Sequence, residues 1–334
     1  MKKFQTLILD KKTIQTLIDM KKAIPAVEAA FREYGLGHAQ MPPKIYLELE
    51  KFDGDFRAMP VYLSRLNKCS LKWVNAHPGN AKYNLPAVMA VIILSDPQTG
   101  FPLSIMDGTY ATTLRTGAAS GVAAKYLARK DSSRVALIGC GIQGHSQLAA
   151  LRQIFKIREV NVWGKSEGEV KRFIKEMRRP REIMSASATI ASCVQEADII
   201  VTSTPSRAPI VRREWIKKGT HINAIGADAA GKQELDPKIL RDAKVVVDDW
   251  AQAAHSGEIN VPVSLGLLSR ADIYAQLGEI VAGKKSGRIS QEEVTVFDST
   301  GLAIQDVAVA DLIYKTACRR KVGKVVDLLG VGGK

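Results

Sequence analysis

Val135-Ala-Leu-Ile-Gly-Cys-Gly-Ile-Gln-Gly144 runs a short apolar, β-forming stretch directly into three glycines spaced Gly139-x-Gly141-x-x-Gly144. That spacing is how a strand, a tight turn and a helix start are written when backbone must approach a pyrophosphate. The first glycine permits the turn, the second removes a Cβ from the phosphate's path, and the third lets helix and strand pack closely. The N–H groups of the helix start then face the anion. The stretch predicts a dinucleotide and, with it, hydride chemistry. A GxGxxG alone is a weak signal, so its surroundings decide.

Beyond the glycines the chain alternates between strand-like and helix-like segments, with strand candidates at 160–163, 198–202, 221–225, 244–248 and 295–297. Such alternation predicts a parallel βαβ sheet. Before the glycines the pattern differs. A short strand at 6–9 is followed by helical residues to 35, with Ile24, Val27, Phe31 and Tyr34 on one face and Asp19 as the N-cap. Residues 44–104 then read as mostly antiparallel strands at 45–49, 71–75 and 87–94, separated by turns such as Asp53-Gly54 and Asp96-Pro97. A helix of small residues is expected at 112–128, and another from 303 to about 329 that returns to the first part of the chain.

The bulk properties narrow the class. With 334 residues there is chain enough for two cores, and 46% apolar with 25% charged residues is an ordinary globular composition. The apolar run 86–94 is too short to span a bilayer, and no signal peptide is read at the start, so a cytoplasmic protein is expected. Cys69, Cys140, Cys193 and Cys318 lack the spacing of a zinc site or a disulfide framework. The net charge of +14 raises nucleic-acid binding, but the basic clusters are interleaved with Glu and have no aromatic-rich neighbour. No specific nucleic-acid partner is expected.

In an NAD enzyme the second strand ends in an acid about 20 residues past the glycines, which holds the ribose hydroxyls. Here it ends Val162-Trp-Gly-Lys165-Ser166, with a cation and a hydroxyl in that place. A 2′-phosphate would be attracted by Lys165 and Ser166, which favours NADP over NAD. Gly-Lys-Ser does not complete a P-loop, because the glycine required at position 159 is Glu159.

Lys72 sits between Leu71 and Trp73 in an apolar strand, where partial desolvation would lower its pKa into the range useful for proton transfer. A solvent-facing lysine on an amphipathic strand is the alternative reading. Arg57, opening Arg-Ala-Met-Pro60, could grip a carboxylate bidentately. Arg115 and Thr116, at the start of the small-residue helix, could meet a phosphate or a carboxylate. Asp228, in the loop after 222–225, and Ser299 and Thr300, after 295–297, fall at carboxyl ends of strands, where a doubly wound sheet binds its ligand.

Together these segments resemble the ornithine cyclodeaminase and mu-crystallin family. The resemblance runs over nearly the whole chain, through Arg57-Ala-Met-Pro, Leu71-Lys-Trp-Val-Asn-Ala-His-Pro-Gly-Asn80, Leu114-Arg-Thr-Gly-Ala-Ala119, Gly226-Ala-Asp228, Gly231-Lys-Gln-Glu-Leu235 and Phe297-Asp-Ser-Thr-Gly-Leu-Ala-Ile-Gln-Asp306. It implies an α/β protein with a Rossmann dinucleotide-binding domain, residues 126–303, inserted into an α+β substrate-binding and dimerisation domain of residues 1–125 and 304–334. It also implies a homodimer. The closest branch is that of the archaeal-type alanine dehydrogenases, which implies reversible NAD(P)-dependent deamination of L-alanine to pyruvate and ammonia. In that branch a lysine matching Lys72 is the catalytic acid/base and an arginine matching Arg57 engages the substrate, with Lys72 and Arg115 beside it; Asp228 matches a catalytic aspartate of the cyclodeaminases that is shared across branches. The implied cofactor set is Arg115, Thr116, Gly139, Gly141, Gln143, Gly144, His145, Lys165, Ser166, Thr204, Gly226, Asp228 and Ser299. An arginine at 57, where cyclodeaminases carry a glutamate, would repel the second amine of ornithine. Reduction of a cyclic ketimine such as pyrroline-2-carboxylate, ornithine cyclodeamination and a non-enzymatic NADPH-binding role are the alternatives.

Overall fold

In the computed structural model, the strand Arg134–Ile138 lies inside an eight-stranded, wholly parallel sheet. The structure describes residues 4–331. Its two units are the residues up to Arg115 together with those from Leu302, and Thr116–Gly301.

In the second unit the strand order is Ile183–Ala186, Glu159–Trp163, Arg134–Ile138, Ile199–Thr202, His221–Ala224, Thr295–Asp298, Lys244–Val247 and Ala275–Gln276. Ile199–Thr202, His221–Ala224 and Thr295–Asp298 are buried at every position. That includes the polar Thr202, His221, Asn223, Thr295 and Asp298, since a parallel sheet is covered on both faces. Chain order reverses between Arg134–Ile138 and Ile199–Thr202, the switch point where a doubly wound sheet opens a ligand crevice. This is a Rossmann-type unit.

The first unit contains an eight-stranded mixed sheet. Its neighbours run antiparallel except Thr6–Leu9, which lies parallel to Pro102–Asp107. The N-terminal helical stretch is two helices, Lys11–Leu17 and Met20–Gly35, and the second is capped by Asp19, whose carboxylate accepts from the Lys22 N–H at 2.9 Å. One face of the sheet is packed by the helix Ala303–Arg320, whose side chains are buried along most of its length.

Six strands are not among those expected from the sequence: Ala39–Gln40, Gly54–Leu63, Pro102–Asp107, Ile183–Ala186, Ala275–Gln276 and Lys324–Val326. Gly54–Leu63 was obscured by Gly54 and Pro60, and Pro102–Asp107 by its leading proline. Pro60 fits because it falls between Ile45–Leu49 and Ala39–Gln40, the two short strands that flank Gly54–Leu63. On that side no ladder bond is required of it. The C-terminal expectation is also corrected. The helix ends at Arg320, Lys321 takes a left-handed conformation (φ 55°), and the chain returns as the strand Lys324–Val326 against Thr6–Leu9.

The glycine turn itself is sterically demanding. Gly139 has φ 113°, and a Cβ on Gly144 would stand 2.5 Å from the Gly139 carbonyl oxygen. Gly144→Ala should therefore force helix and strand apart and lower stability by about 1–3 kcal/mol in chemical denaturation. An unchanged unfolding midpoint would contradict this packing.

Candidate active site

Alternation along Gly54–Leu63 and Lys68–Ala76 puts Arg57, Met59, Ser70, Lys72 and Val74 on the buried face of the first unit's sheet. Lys72 is only 1% exposed. Its Nζ donates to Asp306 Oδ1 at 3.0 Å and lies 2.8 Å from Oδ2. Arg115, from the helix Gly108–Leu127, donates through Nε to Asp306 Oδ1 at 3.0 Å and through Nη1 to Gln305 Oε1 at 2.8 Å. One fully buried carboxylate thus faces two cations.

This arrangement sets the proton affinity of Lys72. Burial disfavours the ammonium, the Arg115 charge disfavours it further, and Asp306 opposes both, leaving the pKa lowered to about 7. The solvent-facing reading of Lys72 is set aside by its burial.

Arg57 is also buried, but its Nε and Nη2 donate to Asp55 at 2.8 Å each, and its guanidinium lies 5.4 Å from the Tyr46 ring centroid. Its orientation is therefore fixed by a carboxylate of its own strand. Asp55, Gln305 and Asp306 were not singled out from the sequence. The signal for the last two was legible in principle, because two polar residues interrupt an otherwise apolar helix start, Ala303-Ile-Gln-Asp-Val-Ala.

The second unit holds the other predicted residues. A Cβ on Gly139 would lie 2.7 Å from the Ser203 carbonyl oxygen, whereas one on Gly141 would meet nothing within 4 Å. Two of the three glycines thus answer to the protein's own backbone, and the middle one opens on free space. Gly141 is also the N-cap of the helix Ile142–Ile154, and no side chain caps that helix. Uncapped N–H groups beside open space fit the pyrophosphate of a dinucleotide. Ser299 adds a second sign of a ligand: its Oγ is buried without a hydrogen-bond partner among the described residues.

The remaining residues are more engaged. His145 bonds through Nδ1 to the Gly141 carbonyl (3.0 Å) and through Nε2 to Glu176 (2.9 Å). Gln143 Oε1 accepts from Ser146 Oγ at 3.4 Å, and the Thr116 carbonyl accepts from Gln147 Nε2 at 3.4 Å. Lys165 is exposed in the turn after Glu159–Trp163. Ser166 caps the helix Glu167–Met177, its Oγ accepting from the Glu169 N–H at 3.4 Å. Asp228 is ion-paired with Lys232. Thr204 and Gly226 both donate to the buried Glu234, a residue the sequence reading passed over.

A Rossmann unit with a phosphate-ready glycine turn, joined in one chain to a unit with a buried lysine–carboxylate–arginine cluster, defines a class of dinucleotide-binding proteins. The sequence matches the ornithine cyclodeaminase/mu-crystallin family over residues 4–321, and the chain belongs to that family. It is 56% identical to alanine dehydrogenase of Archaeoglobus fulgidus, over 98% of this chain and 100% of that protein. Among solved structures, an archaeal alanine dehydrogenase dimer with bound NAD superposes with a TM-score of 0.94 at 54% identity, covering 97% of this chain and 100% of that one. The Thermococcus litoralis Delta(1)-pyrroline-2-carboxylate reductase, in complex with NADH and L-proline, gives 0.93 at 39% identity, covering 96% and 100%.

The cluster makes a stability prediction. Asp306→Ala leaves two buried cations without their anion and should cost about 3–5 kcal/mol in guanidinium unfolding, whereas Lys72→Met, which leaves the Asp306–Arg115 pair, should cost little or stabilise. Equal losses from the two substitutions would contradict the shared-carboxylate arrangement.

Proposed function

We propose that this protein is an NAD(P)-dependent alanine dehydrogenase, interconverting L-alanine and water with pyruvate and ammonia. The observation that carries the reading is Lys72, buried on Asp306 beside Arg115 with its pKa near neutrality. The identity to alanine dehydrogenase across the whole chain supports it. A nicotinamide dinucleotide held by the glycine turn would supply the two-electron hydride chemistry.

The chain's own residues handle the substrate and its protons. Arg115, with Arg57 steadied by Asp55, holds the carboxylate. In the oxidative direction neutral Lys72 accepts a proton from the water that adds to the imine carbon. The ammonium so formed returns that proton to nitrogen as ammonia leaves. A group with a pKa near 7 serves both steps at neutral pH. Gly139, Gly141 and Gly144 with the following helix start would hold the pyrophosphate, with Thr204, Gly226, Asp228 and Ser299 on the carboxyl side of the sheet. Lys165 and the Ser166 turn support acceptance of a 2′-phosphate, so NADP(H) is the favoured cofactor in this reading.

The test is cofactor oxidation with pyruvate plus ammonia, set beside pyrroline-2-carboxylate. We expect turnover of pyruvate, with NADPH used more efficiently than NADH, and Lys165→Asp shifting that ratio by about tenfold toward NADH. Lys72→Met should lose about 10²–10⁴ in kcat while staying folded. Alanine oxidation needs Lys72 neutral, so its rate should fall as pH drops through about 7. Turnover of the cyclic imine alone would replace this reading with a ketimine reductase.

The same proposal includes a homodimer. On the sheet face opposite Lys72, Ile45, Ala58, Trp73 and Val91 are paired in turn across four strands, and Trp73 stacks on Phe56 at 5.1 Å. Ile45, Trp73 and Val91 are each more than 40% exposed, an apolar row that suits a second copy of the chain. Light scattering should give twice the chain mass of 36.4 kDa, and Trp73→Glu should shift it to the monomer. A wild-type monomer at micromolar concentration would contradict this.

A further inference from the structure

The loops that follow Ile199–Thr202 and His221–Ala224 are tied to one buried acid. The Thr204 N–H and Oγ–H donate to Glu234 Oε1 at 2.7 Å each, and the Gly226 N–H donates to Oε2 at 2.9 Å. A Cβ on Gly226 would collide with that carboxylate and with the Thr204 carbonyl oxygen, so only glycine lets the three groups meet. Glu234 is anchored in turn. Glu258 accepts the Glu234 N–H (2.9 Å) and the Leu235 N–H (2.6 Å). Asp298 accepts the Ile259 N–H at 3.1 Å and so steadies the segment that carries Glu258.

Both glutamates are fully buried, and the partners named here are N–H groups and one hydroxyl rather than cations. Burial raises the pKa of each, and the Glu234 charge raises that of Glu258 further. Two interior acids are poor devices for stability, since apolar residues of similar volume hold a core as well or better. Their position suggests another use. The two tied loops leave the carboxyl ends of adjacent central strands, and Ser203 of the first presses directly on Gly139 of the phosphate turn. A ligand crevice made from loops needs such a rigid second layer to keep its groups in register.

We infer that Glu234 is a positioning residue of the dinucleotide site, with Glu258 as its anchor, fixing the Thr204 and Gly226 loops at the spacing a bound nicotinamide dinucleotide requires. The inference rests on the dinucleotide-binding reading given above. In Glu234→Gln the amide keeps the volume but turns an N–H toward one of the three donors, so a loop bond is lost.

The test is fluorescence titration of the full-length protein with NADH and NADPH, alongside circular dichroism of the free protein. Glu234→Gln should raise the Kd at least about tenfold while the protein remains folded at the assay temperature. Glu258→Gln, one step further from the loops, should weaken binding less, and it carries the test if Glu234→Gln does not fold. A folded variant with wild-type affinity, or an affinity loss matching only its unfolded fraction, overturns the inference. Wild-type protein that binds neither cofactor overturns the dinucleotide reading itself, and this inference with it.

Discussion

A single buried carboxylate, Asp306, lies between Lys72 and Arg115, the two cations of the proposed substrate site. Without it, two cations would stand unopposed in a low-dielectric interior, at a large desolvation cost. With it, the balance is deliberately incomplete. Asp306 is shared with Arg115, and Lys72 is held so weakly that it can take or release a proton near neutrality. The cluster is short of negative charge, which suits it to a substrate that arrives as a carboxylate.

This has a consequence for stability. A lysine whose folded pKa lies below its unfolded value binds fewer protons in the native state between about 7 and 10.5. Stability therefore rises with pH through that window, and below it the full cost of burying Lys72 is felt. The remaining framework opposes that cost with ordinary burial, through the apolar helix Ala303–Arg320 on the sheet and the closed core of the parallel sheet. The cofactor unit shows the same division of labour. Gly139 and Gly144 serve its packing, Gly141 opens on free space, and a buried acid ties the Thr204 and Gly226 loops.

Much of this was legible in the sequence because it depends on local spacing. The glycine turn, the alternating elements after it and the Asp19 cap all follow from residues near one another in the chain. Lys72 was visible as a lysine in an apolar strand, but its isolation from water was not. Burial there requires the helix Ala303–Arg320, whose Asp306 lies 234 positions along the chain. Gly54–Leu63 was hidden because Pro60 reads as a breaker until the gap beside it is seen. Glu234 and Glu258 gave no signal, since acids held mainly by backbone N–H groups, with one threonine hydroxyl, have no charged partner residue to recognise.

Direct titration of Lys72 tests the central claim most closely. With 13C-labelled lysine side chains and Lys72→Met to assign the resonance, NMR of the ligand-free protein should show this one lysine titrating near pH 7. A midpoint near the ordinary lysine value of about 10.4 would contradict the account, because Lys72 would then be a permanent cation and could not serve as a base at neutral pH.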